Sequence, residues 1–295
     1  MAAIRCRRAG MRSVNSLHFS RGRRGGLFLL GGLLVMCLAG RTAPAVAGAS
    51  ENGTTVPDLR QAEGRESAEQ QAQAAPAPIV SLRDSFDSKF NLGWNIVNPL
   101  VWRWSLSRNP GTLTITMATG SFTRARRDYE NLFLVGCPGS PGQDFEVTTC
   151  LVSFAPKELW NQAGLVLWND EDNFLSLVYE WGEGPPELGQ ENQRMFTVCV
   201  ESEGQAVFAW YYAPQDPQKL WLRVTKRLNR CELASSEDGE TFQPLQPMRA
   251  RGVVDHVVPW GPRVVRRVGL FAGNGSARDA APVEASFDVF EVKML

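Results

Sequence analysis

The chain has 295 residues, with 31 basic and 31 acidic side chains, 9 Trp and only 2 His. The charges are unevenly spread: eight Arg and no acid fall in residues 1–47, leaving 23 basic against 31 acidic residues and a net charge of −8 for the remainder. An acidic body of this kind argues against a nucleic-acid footprint and against attraction to anionic membranes.

Residues 1–47 read as an export signal. A basic segment ending in Arg21-Gly22-Arg23-Arg24 precedes an apolar run from Leu27 to Ala39, too short for a membrane span, and Ala45-Val46-Ala47 fits a signal-peptidase site. Arg23-Arg24 also permits twin-arginine export. The expected location is secreted, periplasmic or in the cell envelope, with no membrane-spanning segment in the mature chain. Residues 48–79 are rich in Ala, Gln, Glu and Gly, as in Gln70-Gln71-Ala72-Gln73-Ala74-Ala75-Pro76. Such a stretch buries too little apolar surface to balance its ordering entropy, and it reads as a disordered linker.

From residue 80 to the C-terminus short apolar runs alternate with Gly, Pro, Asn and Asp. Strands are predicted at 102–106, 112–117, 132–135, 145–154, 163–168, 173–181, 195–201, 206–212, 220–226, 231–235, 265–272 and 285–292, the pattern of an all-β sandwich in which no core helix is expected. Asn169-Asp170-Glu171-Asp172-Asn173 and Ser236-Glu237-Asp238-Gly239 are predicted turns, Asp-Gly supplying positive φ. Trp104, Trp168 and Trp221 are assigned to the core. Four cysteines follow the signal, at 137, 150, 199 and 231; an oxidising compartment permits disulfides, and three complete pairings are open. Asn52-Gly53-Thr54 and Asn274-Gly275-Ser276 are glycosylation sequons, meaningful only in a glycosylating host.

Three segments in order carry a resemblance. The first is Trp102-Arg103-Trp104-Ser105 with Asn109-Pro110-Gly111-Thr112-Leu113-Thr114-Ile115. The second runs from Asp144-Phe145-Glu146-Val147 through Gln162-Ala163-Gly164-Leu165-Val166-Leu167-Trp168. The third joins Leu222-Arg223-Val224, Val268-Gly269-Leu270-Phe271-Ala272 and Phe287-Asp288-Val289-Phe290-Glu291-Val292. Together they resemble the concanavalin A-like sandwich at the C-terminus of family 43 glycoside hydrolases, and the related regulation-of-enolase-type domains. The resemblance covers nearly all of residues 82–295 and implies a two-sheet antiparallel jelly roll. It carries over no active site, because in those enzymes a separate propeller holds the catalytic carboxylates. The acidic E-x-D-x-x-E or E-x-D-x-E strand cluster of laminarinase-type hydrolases is absent.

Catalytic signals are few. With His256 the only histidine beyond the signal and no C-x-x-C pair or G-x-S-x-G motif, a zinc site or a His-dependent triad is disfavoured. Glu180, Glu183, Glu187 and Glu191 crowd a stretch that Gly182, Gly184, Pro185 and Pro186 mark as a solvated loop. Asp170, Glu171 and Asp172 read as a plain turn rather than a Ca²⁺ loop, and Asp84, Asp87 and Asp288 are candidates for a structural calcium. Arg124, Arg126 and Arg127, beside Asp128 and Tyr129, offer paired hydrogen bonds to an anionic sugar or form a solvated hairpin tip. Aromatics give the better lead, since sugar rings stack on flat side chains with wet edges. In Trp210-Tyr211-Tyr212 at least one ring must point away from the core. Trp181, Trp210, Tyr212 and Trp260 are therefore the candidate ligand-binding residues. The expectation is a non-catalytic, lectin-like module for a polysaccharide or glycan, with no cofactor. The alternatives are a concanavalin A-like glycoside hydrolase or lyase, or a structural or protein-interaction domain of the cell envelope.

Overall fold

A computed structural model of the chain describes residues 81–295 except 124–125, 186–187, 189–191, 249–256, 260–263, 276–280 and 282. The signal at 1–47, the linker at 48–79, Arg124, Glu187, Glu191, His256 and Trp260 lie outside the described residues.

Two antiparallel sheets pack face to face. The first is built from β1 (Ser81–Asp84), β3 (Trp104–Ser105), β4 (Leu113–Thr116), β6 (Phe145–Val152), β11 (Lys219–Arg227), β12 (Arg230–Ser236), β13 (Gln243–Pro244), β14 (Val257–Pro259) and β16 (Glu284–Met294). Its order is β13-β12-β11-β6-β16-β4-β3, with β1 also on β16 and β14 on β12. The second comprises β2 (Asn95–Val97), β5 (Leu132–Gly136), β7 (Gln162–Asp170), β8 (Asn173–Gly182), β9 (Gln193–Ser202), β10 (Gln205–Tyr212) and β15 (Arg267–Gly273), in the order β10-β9-β8-β7-β15-β5-β2. The all-β, two-sheet jelly-roll expectation is met.

Period-two alternation makes the core. On β11, Leu220, Leu222 and Val224 point inward to meet Leu165, Leu167, Leu175, Leu177, Phe196 and Val198 from the other sheet. In β16 the phase of the pattern changes: Ala285 and Phe287 are inward, then Phe290, Val292 and Met294. A register shift between Phe287 and Val289 absorbs the extra residue, Asp288, so both halves of the strand keep an apolar face on the core.

The second sheet is also covered on its outer face. A strap made of residues 118–123 and 126–131 folds over it, and Phe122 and Tyr129 join Val166, Trp168, Phe174, Cys199 and Phe271 in a separate buried cluster. Phe122 and Phe271 meet edge to face with centroids 4.6 Å apart, and Trp168 stacks on Phe174 at 5.4 Å. The strap closes on itself at Gly120, where φ is +147° and a Cβ would lie 2.0 Å from the Asp128 carbonyl oxygen.

Of the three tryptophans assigned to the core, Trp168 is in it and Trp104 and Trp221 need correction. Trp168 is buried, but beneath the strap rather than between the sheets. Trp221 is half-buried on the outer side of β11, against Gly239 of the neighbouring turn. Trp104 packs on the core only partly, with its ring 5.8 Å from Phe133. The predicted strand at 102–106 starts with a single 3-10 turn at Val101–Arg103, leaving Trp102 exposed.

Both named turns form. Gly239 takes φ +79°, and the Asp238 carboxylate accepts the backbone N–H groups of Glu240 and Thr241, each at 2.8 Å. In the other, Asp170 Oδ1 accepts Asp172 N at 3.0 Å. Among the described residues, Cys137, Cys150, Cys199 and Cys231 are joined in no disulfide. Asn274 is buried and its Oδ1 accepts a 3.0 Å hydrogen bond from Asn161 Nδ2, so the folded chain offers no sugar acceptor there.

Candidate functional site

Where the strap stops, the outer face of the second sheet is left open as a cleft of about 530 Å³. Alternation places successive even-numbered residues of β8 in its floor, Ser176, Val178 and Glu180; β9 adds Thr197 and Cys199, β10 adds Phe208 and Trp210, and β7 adds Gln162. The cross-strand register aligns Trp210 with Thr197 and Val178, and Gln162 with Glu180. Phe208 and Trp210, two apart on one strand, lie nearly parallel at 21°. Arg126 from the strap, Glu183 from the loop after β8, and Trp160 form the walls.

Trp160 is held in an unusual way. It sits at φ +66°, a left-handed conformation that costs a bulky residue of order 1 kcal/mol. Its N–H donates to the Trp181 carbonyl at 2.9 Å. The next residue, Asn161, is fully buried; its Oδ1 accepts the N–H groups of Lys157 and Glu158 at 3.1 and 2.9 Å, while its amide bonds Asn274. Behind the indole, a Cβ on Gly275 would lie 2.8 Å from Trp160 Cβ. The ring, 41 % exposed, is thus fixed at the rim by its surroundings.

Glu180 is only 6 % exposed. Among the described residues its carboxyl group takes one hydrogen bond, from Thr197 Oγ1 to Oε1 at 2.5 Å. Burial away from water pushes its pKa up to about 7, with the Thr197 bond opposing. This overturns the reading of Glu180 as part of a solvated loop: β8 continues through Gly182, and Glu180 belongs to its strand pairing. Arg126 does not offer an unpaired fork, because Nε and Nη2 donate to both oxygens of Asp128 at 3.2 and 2.5 Å. Tyr129 is buried, and burial, with the charge of Glu171 that accepts its hydroxyl at 3.2 Å, pushes its pKa up to about 12.

Of the four residues singled out for ligand binding, Trp210 lies in the cleft. Tyr212 is on the same side of β10, 53 % exposed and beyond the lining. Trp181 alternates to the opposite face from Glu180, with the Arg194 guanidinium 5.7 Å from its ring centre. Trp260 lies outside the described residues. The aspartates named for calcium have protein partners: Asp84 accepts from Phe86 N, Asn91 N, Leu92 N and Trp94 Nε1, Asp87 accepts from Ser85 at 2.6 Å, and Asp288 pairs with Lys219 at 3.6 Å.

Residues 83–293 match the family model described as the beta xylosidase C-terminal concanavalin A-like domain. The chain belongs to this family. Similar solved structures include the GH43 protein BlXynB from Bacillus licheniformis, 19 % identical with a TM-score of 0.57 over 72 % of this chain and 39 % of that one. The Bacteroides ovatus xyloglucan PUL GH43B is 21 % identical with a TM-score of 0.55, over 72 % of this chain and 39 % of that chain. The xylan beta-1,4-xylosidase of Bacillus halodurans C-125 is 18 % identical, with a TM-score of 0.53 over 80 % of this chain and 41 % of that one. The chain therefore aligns with only about two fifths of these proteins' length, and at such identities the likeness shows the fold. No curated protein sequence matches the chain. In this β-xylosidase-type C-terminal domain, sequence reasoning missed Trp160, Phe208, Gln162 and Thr197. Phe208 had a signal, being two residues from Trp210 on a predicted strand; Trp160 had none, since its place depends on Asn274 and Gly275, more than a hundred residues along the chain, acting with its neighbour Asn161.

Proposed function

We propose that this domain is an exported, non-catalytic glycan-binding module whose ligand lies in the outer-face cleft. The observation carrying this reading is the pairing of flat apolar surfaces, Trp160, Phe208 and Trp210, with hydrogen-bonding groups from Glu180, Gln162, Ser176 and Thr197 in one concavity. Sugar rings present this combination of apolar faces and hydroxyl edges. The names of the related structures, enzymes of xylan and xyloglucan, support a polysaccharide ligand. Among the described residues no helix is long and apolar enough to cross a membrane.

The test is calorimetric titration with neutral oligosaccharides. Trp210→Ala is expected to weaken binding by about 2 kcal/mol, roughly 30-fold in Kd, and Trp160→Ala by a comparable factor. Trp181→Ala is expected to leave affinity unchanged, and Tyr212→Ala to weaken only ligands long enough to extend past the cleft along β10. Equal affinity of the Trp210→Ala protein and the parent would sink the assignment.

One observation favours a second reading. Glu180 keeps its proton up to about pH 7 beside a second carboxyl group, Glu183, a combination that glycoside hydrolysis uses when the two groups are roughly 5 to 10 Å apart. Reducing-end release from a bound oligosaccharide, lost in Glu180→Gln, would replace binding by hydrolysis as the function.

A further inference from the structure

The charges around the cleft deepen the reading just given, and the inference rests on it. Among the described residues the sheet contributes one carboxyl group to the floor, Glu180 from β8; its neighbours there, Gln162 from β7, Thr197 and the Cys199 thiol from β9 and Trp210 from β10, carry no carboxylate or cation. The loop after β8 adds Glu183, and the strap adds Arg126. Arg126 is neutralised by bidentate pairing with Asp128. Among the described residues the lining therefore holds two carboxyl groups and no cation without an acidic partner.

We propose that Glu180 is the specificity-determining residue of the cleft, admitting uncharged glycans and turning away those that carry uronic acids. One of its oxygens, Oε1, is engaged by Thr197, and the other accepts no hydrogen bond from the described residues. That second oxygen meets a sugar hydroxyl as acceptor when the group is ionised, and as a donor or acceptor when it is protonated. A neutral ring with several hydroxyls satisfies either state. A uronate carboxylate does not: it is itself an acceptor, and finds a like charge in a desolvated floor where solvent screens little. It binds only if Glu180 takes up a proton.

Two consequences separate this from simple aromatic stacking. Discrimination grows as pH rises through the Glu180 pKa of about 7, because the repelling form becomes the ionised one. It also survives added salt, since the buried carboxyl is shielded from mobile ions, whereas a contribution from exposed Glu183 does not.

The experiment compares xylohexaose and cellohexaose with hexagalacturonate by titration calorimetry, at about pH 5.5 and about pH 8, in low salt and in about 0.5 M NaCl. In the parent protein, the neutral hexamer with measurable affinity is expected to change by less than about threefold between the two pH values, while hexagalacturonate weakens at least about tenfold at the higher one. Glu180→Gln keeps the shape and removes the charge. It should recover about tenfold in hexagalacturonate affinity at pH 8 and flatten its pH profile, with Glu183→Gln changing it less than about threefold in high salt. Circular dichroism confirms that each variant is folded. Equal binding of hexagalacturonate and the neutral hexamers at pH 8, or an unchanged ratio in Glu180→Gln, overturns the proposal while leaving the cleft as a glycan site. Failure of all three hexamers to bind overturns both.

Discussion

Glu180 carries a stability cost that can be read directly. Its carboxyl group is an ordinary acid in the unfolded chain, near 4.5, and holds its proton to about 7 when folded. Between those values the folded state binds more protons, so the group's contribution to stability is intact below about pH 4.5, falls as pH rises through the interval, and is fully lost above about 7. A displacement of this size corresponds to roughly 3 kcal/mol. Glu180→Gln, which keeps the Thr197 hydrogen bond as an acceptor, should therefore raise Tm by several degrees at about pH 8 and by little at about pH 4.5. Thermal melts across that range check it; a pH-independent difference would mean that Glu180 is solvated. Trp160 shows the same principle through backbone strain rather than charge. Its positive φ is tolerated because Asn161, Asn274 and Gly275 hold the turn, and such strain collects where a side chain must be aimed.

At the scale of strands, glycines decide how closely neighbours approach. A Cβ on Gly269 in β15 would sit 1.8 Å from the Phe133 carbonyl oxygen of β5, and one on Gly164 in β7 would sit 2.1 Å from the Leu177 carbonyl of β8. Gly269→Ala is expected to destabilise the fold by about 3 kcal/mol or more, through forced separation of β15 from β5 and disruption of the cluster under the strap. A urea melt measures this, and a midpoint within error of the parent would refute it. Much at this level was legible in the sequence: alternation gave eleven strands, β4 to β12 with β15 and β16, and Asp238-Gly239 gave its turn. What was not legible depends on partners distant in sequence. β1, β2, β13 and β14 are short runs of two to four residues that count as strands only because a neighbour pairs with them. Trp168 looks like a core residue in any periodicity argument, yet the strap gives the second sheet two buried faces, and pattern alone does not distinguish them. Glu180 was misread because the Gly and Pro residues after it outweighed a strand that runs on through Gly182.

For the sandwich as a whole, the reduced state of Cys137, Cys150 and Cys231 sets an expectation about redox behaviour. Burial pushes the pKa of Cys150 and Cys231 up to about 12 and that of Cys137 up to about 11, which leaves little thiolate near neutrality. The folded protein should show no shift of Tm with dithiothreitol. Peptide mapping after alkylation at about pH 8 should find these three cysteines modified slowly in the native state and fully in guanidinium. A Tm lowered by reductant would reveal a disulfide and refute the free-thiol assignment.

β16 raises a different matter, that of timing. It is the last described strand to leave the ribosome, yet it sits in the interior of its sheet, between β6 on one side and both β1 and β4 on the other. Until it emerges, β1 has no partner and β6 lacks a neighbour along one whole edge, so a nascent chain holds its apolar strands uncommitted almost to the end of synthesis. A chain cut short before β16 therefore lacks the strand that joins the two halves of its sheet, and its β1 and β4 are left without the neighbour that ties them to β6.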